Sequence, residues 1–276
     1  VIYCGILNYI FKIPVINTMT GLGPYFFKRN FFNFFIKNLF KISQKKINKV
    51  ILQNKGDYDF FIKNNLIKDL QATLIPGFGI NSKYFFTSKY PKNEKITFIL
   101  IGRMLWNKGI GEYVEAAKMI KKDKPNFHFQ LLGSIDKENA YCIAKEQIDH
   151  WKEEKVVEYL GYTDDVRPFI SKADCVVLPS YREGMPRVLL QACAMGRPII
   201  ATNVPGCRDI IKDNQNGFIC DAEDANSLKT ALNKFGKLTF EEKEKMGLEA
   251  RSMIENQFDE KIVFKSFLYE IQSLVK

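Results

Sequence analysis

The stretch from Asp174 to Ile200 carries the residues of this chain whose types and spacing best suit chemistry. It begins with an apolar run, Cys175 to Leu178, whose length and β-branched content predict a strand buried on both faces. Pro186 then stands where a helix would begin, because its fixed φ and missing N–H cost nothing at the first helical position. Helical spacing continues to the stop signal Gly196, and the run from Pro198 to Ala201 predicts the next strand.

A single carboxylate, Glu183, lies in the loop of this strand, helix and strand unit. The loop is at the carboxyl end of the first strand, which is the edge of an open α/β sheet where ligands bind. The backbone N–H groups of Gly184, Met185 and Arg187 would be free at the helix N-terminus, where the helix dipole favours an anion. The loop therefore predicts an anion cradle beside a carboxylate. Spacing alone leaves a second interpretation equally open, in which Glu183 caps the helix.

A second anion signal comes earlier in the chain. Residues 96–101 predict a buried strand, and Gly102 and Arg103 follow it. Helical periodicity begins at Gly109, directly after Lys108, and continues to Ile120. Two cations beside a strand-to-helix turn suit a diphosphate better than a neutral ligand. Arginine and lysine are also common near helix starts as solvated charges, so this alternative stays open.

Strands and helices alternate along most of the chain, which predicts parallel sheets with helices on both faces. The pattern includes helices over Asn139–Lys152 and from Gly206 to Ile211, and a polar linker from Ser88 to Lys95. The chain opens with Val1 in an apolar run that no strand and glycine turn precede. We therefore expect it to start inside a longer domain.

The net charge of +10 is concentrated in the first third of the chain. Residues 1–95 contain 15 lysines and arginines against 4 acidic residues, whereas residues 96–276 contain 26 against 27. Such asymmetry suggests a surface for an acidic partner, which can be anionic lipid, nucleic acid or a phosphorylated acceptor. No aromatic-basic RNA motif or zinc finger accompanies the charge, so we expect no nucleic-acid partner.

The segment from Phe31 to Lys41 predicts a helix with an aromatic face and a basic face. At 100° per residue, one side gathers Phe31, Phe32, Phe35, Ile36 and Leu39, and the other gathers Asn30, Asn33, Lys37, Asn38 and Lys41, with Phe34 among the polar set. Such a helix can lie at an anionic bilayer. The pattern favours, by a small margin, an ordinary core-facing helix with a solvated basic side.

Cysteine spacing and hydropathy exclude several classes of protein. The six cysteines lie far apart without a Cys-x-x-Cys pair, and most fall in apolar runs, so reduced thiols in a cytosolic protein are expected rather than disulfides or zinc. No run of 18 apolar residues and no cleavable signal pattern occurs in the sequence. A glycine pair at Gly21 and Gly23 invites a dinucleotide interpretation, but Phe26 occupies the third glycine position and no acidic residue closes the next strand.

The string from Pro179 to Asp209 is similar to the signature of the retaining glycosyltransferases of family four, which have the two-domain GT-B fold. In that family a Glu-Gly-x-Pro sequence precedes a second acidic residue, and this chain has Glu183 in the first place and Gln191 in the second. The resemblance implies that Glu183 faces the donor sugar, that Gln191 meets the ribose, and that the backbone around Gly184, Met185, Pro186 and Arg187 holds the phosphates. A glutamine accepts hydrogen bonds without the charge that strengthens them.

Three further segments are similar to loops of the same family. Gly102 and Arg103 with Lys108 resemble the cation pair that grips the donor diphosphate and stabilises the leaving group. The sequence around Tyr162 resembles the loop over the nucleotide base, although a plain turn with a surface tyrosine fits equally well. Gly21 and Gly23 belong to a segment that is similar to the N-terminal-domain loop lining the inter-domain cleft.

The resemblance implies an α/β protein of the GT-B fold, with two Rossmann-like, doubly wound domains facing a cleft and the N-terminal one incomplete. We expect residues 1–92 to form the partial acceptor-side domain and residues 93–260 the nucleotide-sugar-binding domain. The last helix, residues 261–276, is then expected to pack back on the first domain, as it does in GT-B proteins.

The implied activity is transfer of a hexosyl or N-acetylhexosaminyl group, with retention, from a nucleotide-diphosphate donor such as a UDP-sugar. The implied acceptor is a lipid-diphosphate-linked saccharide in the synthesis of a bacterial surface polysaccharide, such as capsule or lipopolysaccharide. No metal or cofactor is expected, because Arg103 and Lys108 neutralise the diphosphate. The expected location is cytoplasmic, peripheral at the anionic face of the inner membrane.

Two other functions stay open at this point. The family's early glycine-rich loop and its catalytic-face histidine are expected before the start of this chain, and His128 and His150 match neither. The chain can therefore be a nucleotide-sugar-binding protein without transfer activity. A GT-B epimerase is the other alternative, but the carboxylates and histidine that it needs around C2 of the sugar are not found in the sequence.

Overall fold

A computed structural model describes residues 1–22, 26, 31–92 and 94–275, with the side chains of Tyr9, Phe32 and Val275 outside the description. The contacts divide the chain into two compact units. Unit 1 comprises Val1–Gly79, Glu183–Met185 and Glu260–Lys276, and unit 2 comprises Ile80–Arg182 and Pro186–Asp259. The helices and strands are, in chain order, α1 (Ile2–Phe11), β1 (Ile16–Met19), α2 (Phe31–Gln44), β2 (Lys49–Leu52), α3 (Lys55–Lys63), β3 (Ala72–Leu74), β4 (Ile96–Ile101), α4 (Ile110–Lys121), β5 (Phe127–Leu132), α5 (Lys145–Glu153), β6 (Glu158–Tyr159), α6 (Arg167–Lys172), β7 (Cys175–Leu178), α7 (Arg187–Ala194), β8 (Ile199–Thr202), β9 (Gly217–Cys220), α8 (Ala225–Gly236), α9 (Phe240–Met253) and α10 (Glu260–Val275).

Unit 1 is built on a parallel sheet of three described strands in the order β1-β2-β3. The central strand β2 is buried from Val50 to Leu52, and the rings of Phe40 on α2 and Phe61 on α3 pack against it in an edge-to-face pair 5.4 Å apart. Helix α10 belongs to the same unit, because Val263 packs against Ile51 and Ile75. Burial of these apolar side chains is the main stabilising term for the unit.

Helices α1 and α2 of unit 1 cross closely at a glycine. A Cβ at Gly5 would lie 2.2 Å from the carbonyl oxygen of Ser43, so only glycine allows this approach. Asn8 then donates a hydrogen bond of 2.7 Å to the carbonyl of Lys46. The packed side of α1 is therefore the one that carries Gly5 and Asn8, and its other side faces away from α2.

The exposed side of α2 differs from the one that the sequence favoured. Phe31 and Phe35 are 87% and 58% exposed, and Phe34 is exposed beside them. The buried side instead carries Asn33, Phe40, Ser43 and Gln44. It can do so because Gln44 accepts a 2.8 Å hydrogen bond from buried Asn17 of β1, which satisfies the polar groups. The core-facing interpretation of the aromatic face is wrong for Phe31 and Phe35.

Unit 2 contains a parallel six-stranded sheet in the order β6-β5-β4-β7-β8-β9. The chain runs from β4 outward through β5 to β6, and then returns to place β7 on the other side of β4. This is the Rossmann strand order, in which ligands bind where the direction reverses, at the carboxyl ends of the two central strands. The carboxyl ends of β4 and β7 are therefore the expected ligand-binding edge of unit 2.

A buried arginine holds the predicted linker segment within unit 2. Arg197 is wholly buried, and its guanidinium donates to the carbonyls of Ser88, Lys89 and Ser171, with further bonds to nearby carbonyls. Burial lowers the pKa of Arg197, since the low-dielectric interior disfavours its charge. Multiple hydrogen bonds offset that cost, so the segment after residue 80 is tied to this unit rather than free.

Two predicted helices are absent or shorter in the structure. The helix predicted over Asn139–Lys152 begins only at Lys145, because the preceding residues pair with the loop after β4, where Ile143 N–H donates to the Met104 carbonyl at 2.9 Å. The helix predicted from Gly206 to Ile211 is a series of turns instead. There Gly206 has a φ of 83°, and its N–H donates to the side chain of Asp209, which competes with helical pairing.

Candidate active site

The loop that follows β4 places two of the predicted donor-binding residues at the carboxyl edge of the sheet. Among the described residues, no atom beyond the neighbouring residues lies within 4 Å of where a Cβ of Gly102 would stand, so there is open space beside this residue, whose N–H donates to the carbonyl of Leu132 at 2.9 Å. Arg103 forms an ion pair of 2.8 Å with Asp136, which lies in the loop after β5, and the Arg103 side chain is 55% exposed. The guanidinium is therefore oriented by a carboxylate and still accessible.

Lys108 ends a short 3₁₀ turn, Trp106–Lys108, and Gly109 follows it with a φ of 73°. A Cβ at Gly109 would lie 2.0 Å from the carbonyl oxygen of Pro179, directly after β7. Both the backbone conformation and the close approach require glycine here. The loop of the two cations and the loop after β7 are therefore packed against each other at the point where the strand order reverses.

Polar contacts fix this pair of loops. Tyr181 N–H donates to the carbonyl of Asn107 at 3.1 Å, and the Tyr181 hydroxyl donates to Oε1 of Glu112 at 2.7 Å. Burial, and then the hydrogen bond to Glu112, raise the pKa of Tyr181, so the phenol stays a donor. Glu112 Oε2 and Asn107 Oδ1 are buried and accept no hydrogen bond in the part of the chain that the structure describes. Both oxygens therefore lie inside the contact between the two loops without a described partner.

Helix α7 presents two more of the predicted residues. It begins at Arg187 with Pro186 as N-cap, one residue later than the sequence pattern placed its start. The first N–H groups of such a helix have no partner within the helix, which leaves them for an anion. Arg187 is exposed and Gln191 half-buried one turn further on, and no described side chain pairs with either. These groups can contact a ligand without first breaking a protein contact.

Tyr162 lies at the same edge of the sheet, after β6. Gly161 adopts a φ of 76°, and its carbonyl accepts a 2.7 Å hydrogen bond from Gly133 after β5. Tyr162 is 66% exposed and donates its hydroxyl to Asp164, a bond that raises the pKa of the phenol. The turn is well fixed, and the tyrosine ring is free to stack on a ligand.

Unit 1 contains the remaining predicted residues. Glu183, Gly184 and Met185 group with it, as does Gly21, whose φ is 131°. A Cβ at Gly184 would lie 2.1 Å from the Thr20 carbonyl oxygen, so this position also needs glycine. Glu183 is half-buried. Gly23 lies outside the described residues.

One buried amide holds the Glu183–Met185 segment in unit 1. Asn54 Nδ2 donates to the carbonyl of Gly184 at 2.7 Å and to Asp57 Oδ2 at 3.0 Å. Its Oδ1 accepts the N–H of Asp57 at 2.7 Å and so caps α3. Asn54 is 1% exposed, and all of these bonds are made in a low-dielectric setting. The amide is therefore a rigid support for the residue after Glu183.

Sequence reasoning missed Asn54, Asp136 and Glu112 as members of this arrangement. The spacing of Asn54 and Asp57 signals a helix cap, but nothing local shows that the same amide binds residue 184. Asp136 and Glu112 lie in a different loop and helix from their partners Arg103 and Tyr181. Only the strand order brings them together.

The chain has an Asp-x-Asp triplet at Asp57 and Asp59, a pattern that can hold a divalent ion. Asp57 is buried in the cap of α3, and Asp59 pairs with Lys55 at 2.6 Å. Across the described residues, no three His, Cys, Asp or Glu side chains come together in a group that could hold a metal ion. The triplet therefore has a structural role.

Comparison with known proteins identifies the family and the fold of the chain. Residues 83–253 match the family model described as glycosyl transferases group 1. The HepE protein of Anabaena, solved in complex with UDP, superposes with a TM-score of 0.83 at 18% identity, over 99% of this chain and 76% of that one. That likeness shows the fold, which is GT-B with Rossmann-like parallel sheets.

Two curated relatives extend the match along the chain. The N,N'-diacetylbacillosaminyl-diphospho-undecaprenol alpha-1,3-N-acetylgalactosaminyltransferase of Campylobacter jejuni is 31% identical, over 96% of this chain and 72% of that protein. The UDP-Gal:alpha-D-GlcNAc-diphosphoundecaprenol alpha-1,3-galactosyltransferase of Escherichia coli is 26% identical, over 79% of this chain and 59% of that protein. The chain therefore belongs to the glycosyl transferases group 1 family, as its Glu183 and Arg103 motifs predicted.

Proposed function

We propose that this chain transfers a sugar with retention from a UDP-sugar to a saccharide on a lipid diphosphate, in the synthesis of a bacterial surface glycan. One observation carries the proposal. Arg103, oriented by Asp136, follows Gly102 and the open space beside it where the strand order of unit 2 reverses, and Lys108 lies further along the same loop, next to the Gly109 contact with Pro179. Such a site suits a diphosphate. The reaction is inferred from the glycosyl transferases group 1 family, whose model matches this chain.

Each predicted donor-binding group of unit 2 has a role in the proposed reaction. Arg103 and Lys108 neutralise the charge that grows on the diphosphate as the glycosidic bond breaks, which stabilises the transition state. The N-terminal N–H groups of α7 and Arg187 bind phosphate oxygens. Gln191 accepts ribose hydroxyls, and Tyr162 lies against the base.

The proposed role of Glu183 concerns the sugar itself. Its carboxylate orients the donor sugar and balances the positive charge that develops at the anomeric carbon as the bond to the diphosphate breaks. Such a role requires a fixed carboxylate rather than a mobile one. The hydrogen bond from Asn54 to Gly184 supplies that restraint within unit 1.

The acceptor half of the proposal is supported by the relatives and by the first third of the chain. Both curated relatives are named for saccharides on diphospho-undecaprenol. Residues 1–95 have 15 lysines and arginines against 4 acidic residues, which favours an anionic acceptor and membrane surface. We propose that the chain works at that surface.

Exposed apolar side chains on α1 and α2 support peripheral binding. On α1, Tyr3 is 81% and Ile10 is 68% exposed, and on α2 the exposed aromatic residues are Phe31, Phe34 and Phe35. Lys12 and Lys41 lie at the ends of these apolar stretches. None of the described helices is long and apolar enough to cross a membrane. An apolar face with nearby cations suits an anionic bilayer surface.

The test is a transfer assay on the whole chain with a panel of UDP-sugars and prenyl-diphosphate saccharides. We expect UDP release with one donor, a product whose new bond keeps the anomeric configuration, and a loss of at least about tenfold in the Arg103→Ala variant. UDP binding by calorimetry without transfer from any donor would contradict the enzyme and favour the binding-protein alternative.

A further inference from the structure

Unit 1 contains a cavity of about 480 Å³ at one end of its sheet. The cavity is lined by Lys41, Gln44, Lys45, Ile62, Asn65, Leu66, Ile67, Lys68, Asp69 and Gln71. Helix α2 ends at Gln44, and β2 begins at Lys49, so the cavity lies near the amino ends of the strands. The Asn54 cluster follows the carboxyl end of β2. The cavity is therefore separate from the Asn54 cluster of the same unit.

The floor of this cavity is apolar and its frame is fixed. Leu66 and Ile67 are buried among the core residues of unit 1, with Ile62 packed beside them. Gln71 Nε2 donates to the carbonyls of Gln44 and Ile47, which ties the segment before β3 to the end of α2. A cavity with a rigid apolar floor can accommodate hydrocarbon without rearrangement.

Three cations surround the cavity without acidic partners. Lys41, Lys45 and Lys68 are exposed, and no carboxylate among the described residues pairs with any of them. The lining contains one carboxylate, Asp69, which accepts a 2.7 Å hydrogen bond from the hydroxyl of Tyr58. Unpaired cations close together repel one another, so an anion bound among them would relieve that repulsion.

Exposed apolar side chains stand beside these cations. Leu70 is 88% exposed and follows Lys68 and Asp69 in a short 3₁₀ turn. Ile42 is 54% exposed and follows Lys41 on the same helix that exposes Phe31 and Phe35. Hydrocarbon next to unpaired ammonium groups is the arrangement of a membrane interface, where lysines meet phosphates and apolar side chains enter the acyl region.

We propose that an anionic phospholipid binds here, with its phosphate between Lys41, Lys45 and Lys68, part of an acyl chain against the apolar floor of the cavity, and Ile42 and Leu70 entering the acyl layer. The charge complementarity and the apolar floor both favour an amphiphile over a free phosphate. The site deepens the proposed membrane association and rests on that part of the proposed function, but not on sugar transfer. It gives the membrane contact of unit 1 a defined lipid site in addition to a diffuse basic surface.

Vesicle sedimentation of the full chain tests the cation frame. We compare the Lys41→Gln, Lys45→Gln and Lys68→Gln triple variant with a control triple, Lys234→Gln, Lys237→Gln and Lys265→Gln, which removes the same charge from exposed positions elsewhere. On phosphatidylcholine vesicles that contain phosphatidylglycerol, we expect the cavity triple to lower partitioning by about tenfold or more and the control by less than about threefold. Equal losses in the two triples would overturn the site.

A second pair of variants tests the apolar part without changing charge. Leu70→Ser is expected to weaken binding to the same vesicles about threefold, because an exposed leucine leaves the acyl layer. Leu248→Ser, at a 57% exposed leucine of unit 2, is expected to leave binding unchanged. Both positions are exposed, so neither change should affect folding. No difference between these two variants would contradict insertion at Leu70.

Two further measurements separate the lipid from other sources and from the enzyme. Glycerol phosphate at millimolar concentration should not release the protein from vesicles, and release at that concentration would assign the cavity to a soluble phosphate instead. UDP release with a short, water-soluble acceptor should be the same in the cavity triple and the parent. Loss of that soluble activity would overturn the separation of the cavity from the transfer site.

Discussion

The two units differ in where they place some of their phenylalanine side chains. In unit 2, the strand residues Phe98, Phe127 and Phe129 are almost wholly buried, and their rings pack against one another. In unit 1, Phe31 and Phe35 of α2 face outward although the helix has a buried side. A helix that fills its buried side with Asn33, Ser43 and Gln44 while exposing phenylalanine is not optimised for its own core. The membrane contact proposed above would explain why these rings of unit 1 are exposed.

The two units also differ in whether some of their cations have carboxylate partners. In unit 2, Arg103, Lys118, Arg167 and Arg251 each have a carboxylate within 2.8 Å. In unit 1, Lys41, Lys45 and Lys68 have none among the described residues. These four cations of unit 2 are paired internally, whereas the three lysines that line the cavity of unit 1 are not, although Lys49 and Lys55 of unit 1 do have carboxylate partners.

The largest expected difference is in stability. Phe98→Ala should lower the free energy of unfolding of unit 2 by about 3–5 kcal/mol, because it opens a cavity in the core. Phe35→Ala should change stability by no more than about 0.5 kcal/mol, since the ring is already in water. Urea titrations followed by circular dichroism, and by fluorescence of Trp106 and Trp151 in unit 2, measure both changes. A large loss of unfolding free energy in Phe35→Ala would show that this face of α2 packs in the core of unit 1.

The next effect concerns the donor. Arg103→Ala and Lys108→Ala should each weaken UDP binding by about 1.5–3 kcal/mol, the size of a hydrogen bond to a charged group. Asp136→Asn should cost less, about 1 kcal/mol, because Arg103 stays but loses its orienting partner. Calorimetry gives each value, with Lys122→Ala at the far end of α4 as the control. Unchanged affinity in both alanine variants would make these residues ordinary solvated charges.

Asn54 gives an intermediate effect that separates stability from activity. Asn54→Ala should lower the stability of unit 1 by about 1–2 kcal/mol through the lost cap of α3. Asn54→Asp keeps a capping oxygen but cannot donate to the Gly184 carbonyl, so it should lower kcat more than it changes KM for the donor, and it should also cost stability because it places a second buried carboxylate beside Asp57. Denaturation and steady-state kinetics of both variants test this. Full kcat in the Asp variant would show that the amide has only a capping role.

The smallest expected change is at position 191. Gln191→Glu should tighten UDP binding by about 0.5–1 kcal/mol, because a carboxylate accepts ribose hydroxyls more strongly than an amide. Gln147→Glu on α5 adds the same charge to unit 2 and should leave UDP affinity unchanged. Calorimetry on the two variants gives the comparison. Weaker binding in Gln191→Glu would mean that the loop is shaped around the amide.

Apolar runs were sufficient to predict the sheet of unit 2. The strands at 96–101 and 175–178 have the bounds that the sequence indicated. Their burial on both faces leaves a continuous apolar signal that does not depend on distant residues. The failures came where a partner far away in the chain decides the outcome, as Met104 does for the shortened α5. Local periodicity contains no information about such pairing.

The same limit applies to the candidate site and to α2. Arg103 and Lys108 could be found because a strand, a glycine and a helix start surround them in sequence. Asp136 could not, since its contact with Arg103 requires β4 and β5 to be neighbours. The buried side of α2 was misassigned because Asn17, on a strand, supplies the partner that allows Gln44 to be buried. A sequence pattern assigns polar residues to the surface unless a buried hydrogen-bond partner for them is known.

The most direct test of the division between the units measures two bindings in one sample. The full chain is sedimented with phosphatidylglycerol-containing vesicles in the presence of labelled UDP, and free and bound fractions of both are counted. We predict that Arg103→Ala loses UDP but stays on the vesicles, whereas the Phe31→Ser and Phe35→Ser double variant keeps UDP but leaves the vesicles. A double variant that stays on the vesicles as the parent does, or an Arg103→Ala variant that leaves them, would contradict the account.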